Sequence, residues 1–105
     1  MFSLENLKIW NKPERIIVTQ HGRKRLEERN IKIEDICKVI EDGKIIEQYE
    51  DDYPFPSCLI LGKSNNRNLH LVVSVDEGLI YLITAYEPDP LKWESDLKTR
   101  KEKTK

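Results

Sequence analysis

The sequence predicts an α+β domain: N-terminal helices packed on one face of a four- to five-stranded antiparallel sheet. Three observations carry this. Apolar residues recur at helical spacing up to Gly43. Beyond Gly43 the apolar period drops to two. Turn signals at Ser64–Asn68 and Glu77-Gly78 then separate the alternating runs, as in hairpins. Helices come first and strands afterwards, which excludes a doubly wound parallel sheet.

The elements follow in order. Ser3 is placed to cap a first helix over residues 3–12, with Leu4, Leu7 and Trp10 three apart and Pro13 closing it. Ile16–Thr19 is β-branched and short, so a strand is expected. Gln20–Arg29 has good helix composition except for Gly22, and Asn30 suits a left-handed C-terminal residue. Ile33, Ile36, Cys37 and Ile40 give the next helix, Ile31–Glu41, an apolar stripe that ends at Gly43. Strands are expected over Lys44–Glu50, Leu59–Lys63, Leu69–Asp76 and Leu79–Tyr86. Tyr53–Ser57 (YPFPS) forms a stiff connection between the first two. Pro88 and Pro90 break the last strand. Residues 91–105 are expected to form a short helix around Trp93 and then a frayed polar tail.

The 105 residues suit one domain: an N-terminal helix over 1–15, a core over 16–90 and a C-terminal segment over 91–105. At 38% hydrophobic and 35% charged, the chain is globular with a densely charged surface. MFSLENLKIW lacks the basic start and apolar block of a signal peptide, and no apolar run reaches membrane-span length. A cytoplasmic location is expected. Cys37 and Cys58 lack metal-like spacing and read as core thiols, one in a helix and one beginning a strand.

Net charge is −1, which argues against a general nucleic-acid coat. The charge is unevenly spread. Residues 21–32 carry five Lys or Arg against two Glu, and residues 34–53 carry eight acids against two Lys. A basic site can therefore sit beside an acidic surface.

Within the basic stretch, His21, Arg25 and Arg29 are four apart. On a helix each step advances by about 40°, so the three share one stripe. A guanidinium fork suits phosphate oxygens, and an imidazole exchanges protons near neutral pH. That set matches phosphodiester cleavage. Arginine at this spacing is also common on solvated helix faces, where Glu27 and Glu28 would pair with it weakly. Spacing alone favours the plain surface helix. His70 sits in a predicted strand, opposite in facing to Leu69, Leu71 and Val73, and so points to the sheet's open face. Tyr86 and Thr84 are further polar candidates on strands, able to stack on a base or donate to a phosphate. Tyr49 and Tyr81 read as packing residues, and Trp93 as an anchor docking the C-terminal segment. No metal site and no Gly-rich phosphate loop is expected.

The pattern Thr19-Gln20-His21, Arg25, Arg29, Ile31, followed by IEDGKIIEQYEDDYPFPSCLILG, LHLVV and ITAYEPDPLKWESDLKTRK, resembles a small bacterial family of unknown function. That family is related to the RelE, MqsR and BrnT toxins of type II toxin–antitoxin systems. The resemblance runs from about Thr19 to Lys101. It implies the RNase-like fold shared by RelE, barnase and colicin tRNases. It also implies a cofactor-free, metal-independent endoribonuclease cleaving mRNA, in association with the ribosome or away from it. A neighbouring antitoxin, of zinc-finger or helix-turn-helix type, would neutralise it. Of His21 and His70, one would take the ribose 2′-hydroxyl proton and the other would protonate the leaving 5′-oxygen. Arg25 and Arg29 would stabilise charge on the phosphorus oxygens, with Tyr86 beside them. Arg23, Lys24 and Thr84 would bind RNA. Two other readings compete. One is an inactive RNA-binding module on the same fold. The other is a protein-interaction role in which the acidic 34–53 region meets a basic partner.

Overall fold

The computed structural model describes residues 3–51 and 55–101. In chain order these form α1 (Leu4–Ile9), a 3-10 turn (Pro13–Arg15), β1 (Ile16–Ile17), α2 (Gln20–Glu28) and α3 (Ile33–Asp42). Then come β2 (Lys44–Tyr49), β3 (Ser57–Ser64), β4 (Arg67–Asp76) and β5 (Leu79–Tyr86). The sheet order is β1-β5-β4-β3-β2. The α+β architecture expected from the sequence is present, with the helices on one face of five strands. One feature differs: the sheet is mixed. β2 to β5 form an antiparallel meander, but β1 pairs parallel to β5 through Ile16↔Ile80 and Ile17↔Tyr81. A whole helical layer and three strands separate β1 from β5. Such a crossover lets the chain return in the same direction.

Local chemistry sets the boundaries. The Thr19 hydroxyl accepts from Gly22 N at 3.0 Å and caps α2. At the other end Asn30 takes φ 55, Asn30 N donates to Glu27 O and Ile31 N donates to Leu26 O. That is a Schellman closure, and it turns both Leu26 and Ile31 into the core. The Asp35 carboxylate accepts from Lys32 N at 2.8 Å and from the Ser64 hydroxyl at 2.5 Å, tying the start of α3 to the end of β3. The β3–β4 turn is only Asn65-Asn66, both at positive φ, so β4 begins at Arg67 within the longer turn expected from sequence. Glu77-Gly78 repeats that geometry before β5.

One core joins the two layers. Ile36, Val39 and Ile40 of α3 pack with Cys58 and Ile60 of β3, Leu69, Leu71 and Val73 of β4, and Ile80, Leu82 and Ala85 of β5. Helix and sheet approach closely at Gly43 and Gly62. A Cβ at Gly62 would lie 2.7 Å from the Val39 carbonyl oxygen. Cys37 and Cys58 are free thiols within these elements. No described helix is long and apolar enough to cross a membrane.

Alternation sends the intervening residues to the other face. Leu61, His70 and Tyr86 pair across three strands there, as do Glu47, Leu59 and Val72, while a bulge in the β4–β5 register at Val72/Val73 interrupts the alternation before Thr84. That face is covered rather than open. Residues 89–101 fold back over it, and Trp93 is 3% exposed. The short helix expected around Trp93 does not form. Lys92 N and Trp93 N donate to Asp89 O, and Trp93 bridges to Arg100. Asp96 Oδ1 accepts from Lys98 N and Thr99 N, offering the backbone a turn in place of a helix. The stiff YPFPS connection and the polar tail each fall partly outside the described residues.

Candidate active site on the covered sheet face

α2 buries Leu26 and leaves most of its surface to solvent. On that surface Arg25 Nε donates to His21 Nε2 at 3.0 Å. A cleft of about 560 Å³ is lined by Gln20, His21, Arg23, Lys24 and Glu27. Arg29, one turn on, behaves differently. It is half-buried, and its Nη1 donates to Ala85 O at 2.8 Å and approaches Thr84 Oγ1 at 3.5 Å. The Ala85 carbonyl lies on β5 beyond the two residues that β1 covers, so the guanidinium satisfies an edge group and docks α2.

Across the sheet lies a denser cluster. His70 is fully buried. Its Nε2 lies 2.8 Å from Leu97 O, and a carbonyl can only accept, so Nε2 carries the proton. Nδ1 then accepts from the Tyr86 hydroxyl at 3.4 Å. The imidazole meets Trp93 edge-on at 4.6 Å between centroids, and Tyr86 at 5.3 Å. Arg100 stacks over Trp93, its Cζ 4.6 Å from the ring centroid. Its fork holds Glu47 in two bonds, Nε to Oε2 at 2.9 Å and Nη2 to Oε1 at 3.0 Å. The Tyr49 hydroxyl donates to the same carboxylate.

These contacts set the protonation states. The Arg100 hydrogen bonds hold the Glu47 carboxyl below the usual carboxylate range despite partial burial, so it is ionised. Burial pushes the His70 imidazole below its usual range; the Leu97 carbonyl and Glu47 oppose this, and Arg100 adds to it. His70 is therefore neutral at pH 7. Burial and the Glu47 hydrogen bond push the Tyr49 phenol up to about 12. A cleft of about 340 Å³, lined by Tyr86, Lys92, Trp93 and Arg100 with Glu87 and Asp89, opens beside the cluster.

The sequence-derived candidates thus separate into three pairs, with Arg23 and Lys24 left on the open surface of α2. The structure joins His70 to Tyr86, His21 to Arg25, and Arg29 to Thr84. His21 does not meet His70: it stands on the helix layer's outer surface, and His70 lies on the opposite sheet face under Trp93. The expected open face at His70 is closed by the C-terminal segment, because Trp93 packs edge-on against the imidazole and the Leu97 carbonyl accepts from its Nε2. Arg23 and Lys24 stay exposed, as RNA-contacting residues require. Glu47 and Arg100 escaped the sequence reading. Glu47 had one detectable signal, its placement two residues from Tyr49 on a strand (KIIEQYE). Arg100 lay in what read as a polar tail.

A family profile described as a domain of unknown function, DUF4258, matches residues 18–87. The match takes in His21, Arg25, Arg29, Glu47, His70 and Tyr86, and ends before Trp93 and Arg100. No curated protein and no solved structure matches the chain. With two-thirds of its length matched by one profile, the chain belongs to the DUF4258 family.

Proposed function

We propose that this chain is a toxin-like, metal-independent endoribonuclease whose reacting groups lie on the covered sheet face. The observation that carries the reading is the convergence of a carboxylate, an imidazole, a guanidinium and two phenols around His70. The resemblance to the RelE, MqsR and BrnT toxins, and to their RNase-like fold, supports it. In this reading Glu47, held ionised, takes the ribose 2′-hydroxyl proton. The 2′-oxygen attacks phosphorus, and His70, neutral while covered, takes up a proton when its cover lifts and gives it to the departing 5′-oxygen. A 2′,3′-cyclic phosphate and a 5′-hydroxyl result. The Arg100 fork matches the charge that builds on the phosphorus oxygens. The α2 surface, through Arg23, Lys24, His21 and Arg25, follows the RNA backbone. The two-histidine mechanism is replaced by a Glu47–His70 pair, because the sheet lies between the histidines. mRNA is the proposed substrate, and a cognate antitoxin the proposed protein partner.

A second reading, an RNA-binding module without catalysis, is favoured by one observation: His70 is fully covered, and both of its nitrogens are engaged. Growth on induction separates the two. The nuclease reading expects arrest that Glu47→Gln or His70→Gln relieves while the variants stay folded. Arrest that persists in both variants refutes it.

A further inference from the structure

A folded nuclease with a fully buried imidazole must expose it before RNA can reach it. The segment that buries His70 is built to move as a unit. Among the described residues, the backbone–backbone hydrogen bonds of residues 89–101 close within the segment: Lys92 N and Trp93 N to Asp89 O, Glu94 N to Thr99 O, Leu97 N to Glu94 O and Lys101 N to Lys92 O. Its tip is stapled by Asp96, whose carboxylate accepts from Lys98 N, Thr99 N and the Thr99 hydroxyl. Apart from Trp93 and half-buried Leu97, all of its residues are exposed, Leu91 at 82%. Leu97 holds φ 60, a strained setting for a leucine, where its carbonyl meets His70.

Among the described residues, three features hold it to the sheet: Trp93, 3% exposed, packed edge-on against His70; the Leu97 carbonyl on His70 Nε2; and the Arg100 fork on Glu47 and Tyr49. The fork is the contact a phosphodiester can take over. Carboxylate and phosphate present alike to a guanidinium, and the Arg100 side chain is 59% exposed.

We infer that residues 89–101 form an autoinhibitory strap latched by Arg100 on Glu47, and that a nucleic-acid phosphate competing for Arg100 releases it from His70. Inhibition by the strap rests on the nuclease reading; its opening does not. Release also sets the chemistry. Without the cover His70 loses its burial, the Leu97 carbonyl and the nearby Arg100 charge while keeping the Glu47 charge; the largest of these losses is burial, so its affinity for a proton rises. Glu47, freed of Arg100, becomes a competent base. Few buried contacts and a self-contained hydrogen-bond set are what a low-stability cooperative unit shows.

Amide hydrogen exchange on the intact chain tests this. Residues 92–101 should exchange at least 100-fold faster than the amides of β3 and β4, and Arg100→Gln should speed them by a further 5-fold or more. A short oligodeoxynucleotide, which lacks the attacking 2′-hydroxyl, should accelerate strap exchange when it binds. Two results overturn the inference: strap amides that exchange only with the sheet, at the rate of global unfolding, or bound oligonucleotide that leaves strap exchange unchanged. Exchange reads no chemistry, so the two proposals fail separately. An opening strap without RNA cleavage defeats the nuclease alone, and cleavage under a rigid strap defeats the strap alone.

Discussion

A buried neutral imidazole makes stability depend on pH with a definite sign. His70 is depressed in the folded state, first by burial, while in the unfolded chain it titrates near about 6.5. Below that pH the unfolded state binds the extra proton and the folded state does not. Stability therefore rises with pH and is lost as pH falls. The slope reaches at most about 1.4 kcal/mol per pH unit between the unfolded and folded values. Between pH 7.5 and 5.5 the loss is at most about 1.4 kcal/mol, a melting shift of roughly 5–10 °C for a domain of this size. The window stops at 5.5 because Glu47 and Asp35, both depressed, lose their contributions at lower pH, in the same direction. The assay is denaturant unfolding across this range for the wild type and His70→Gln. Glutamine keeps a donor for the Leu97 carbonyl but cannot titrate. The wild type should lose stability as the buffer is acidified, and the variant should be flat. A flat wild-type profile, or a slope retained in His70→Gln, refutes the placement of a neutral His70 beneath Trp93. If the strap lifts as inferred, the acid-induced change appears first in exchange at residues 92–101.

Three further outcomes follow from the packing and the charge distribution. Gly62→Ala would drive its Cβ to 2.7 Å from the Val39 carbonyl, between α3 and β3, and should cost on the order of 3 kcal/mol by denaturant midpoint. Asp35→Ala removes the carboxylate that caps α3 and leaves the buried Ser64 hydroxyl without its acceptor. A loss of roughly 2–4 kcal/mol is expected in thermal unfolding. Replacing exposed Arg23 and Lys24 with glutamate should leave the melting temperature within about 2 °C of wild type. The same pair should weaken RNA binding and reduce the slope of log affinity against log salt by about 2 in filter-binding titrations; an unchanged slope would take α2 out of the RNA path.

Much of the fold was legible because it is written in local signals. Asn30 and Gly43 mark helix ends, and the apolar period changes visibly after Gly43. Thr19 read as the end of a strand, but β1 stops at Ile17 and the Thr19 hydroxyl caps α2. The parallel placement of β1 was not legible. A strand of two residues carries too little pattern to show that Ile16 meets Ile80. The candidate site was half legible. The facing of His70 followed from strand alternation, but its cover did not. Arg100 and Glu47 meet across 53 residues of sequence, and no periodicity links a polar C-terminal stretch to a strand on the far side of the sheet. Residues 91–105 read as a short helix around Trp93 and then a polar tail, with Trp93 as the anchor docking the segment. Trp93 is an anchor, but Asp96 diverts the backbone into turns. On α2 the stripe of His21, Arg25 and Arg29 was correctly spaced, yet Arg29 turned out to serve the edge of β5.

The central claim is that phosphodiester chemistry belongs to Glu47 and His70 rather than to the α2 stripe. The most direct measurement is cleavage of a 5′-labelled RNA oligonucleotide in EDTA, with the fragment ends resolved by mass. The account predicts fragments ending in 2′,3′-cyclic phosphate. The rate should fall at least about 100-fold in Glu47→Gln and in His70→Gln. His21→Gln should keep the same products at saturating RNA. A rate abolished by His21→Gln and untouched by His70→Gln, or fragments ending in 3′-hydroxyl groups, would contradict it.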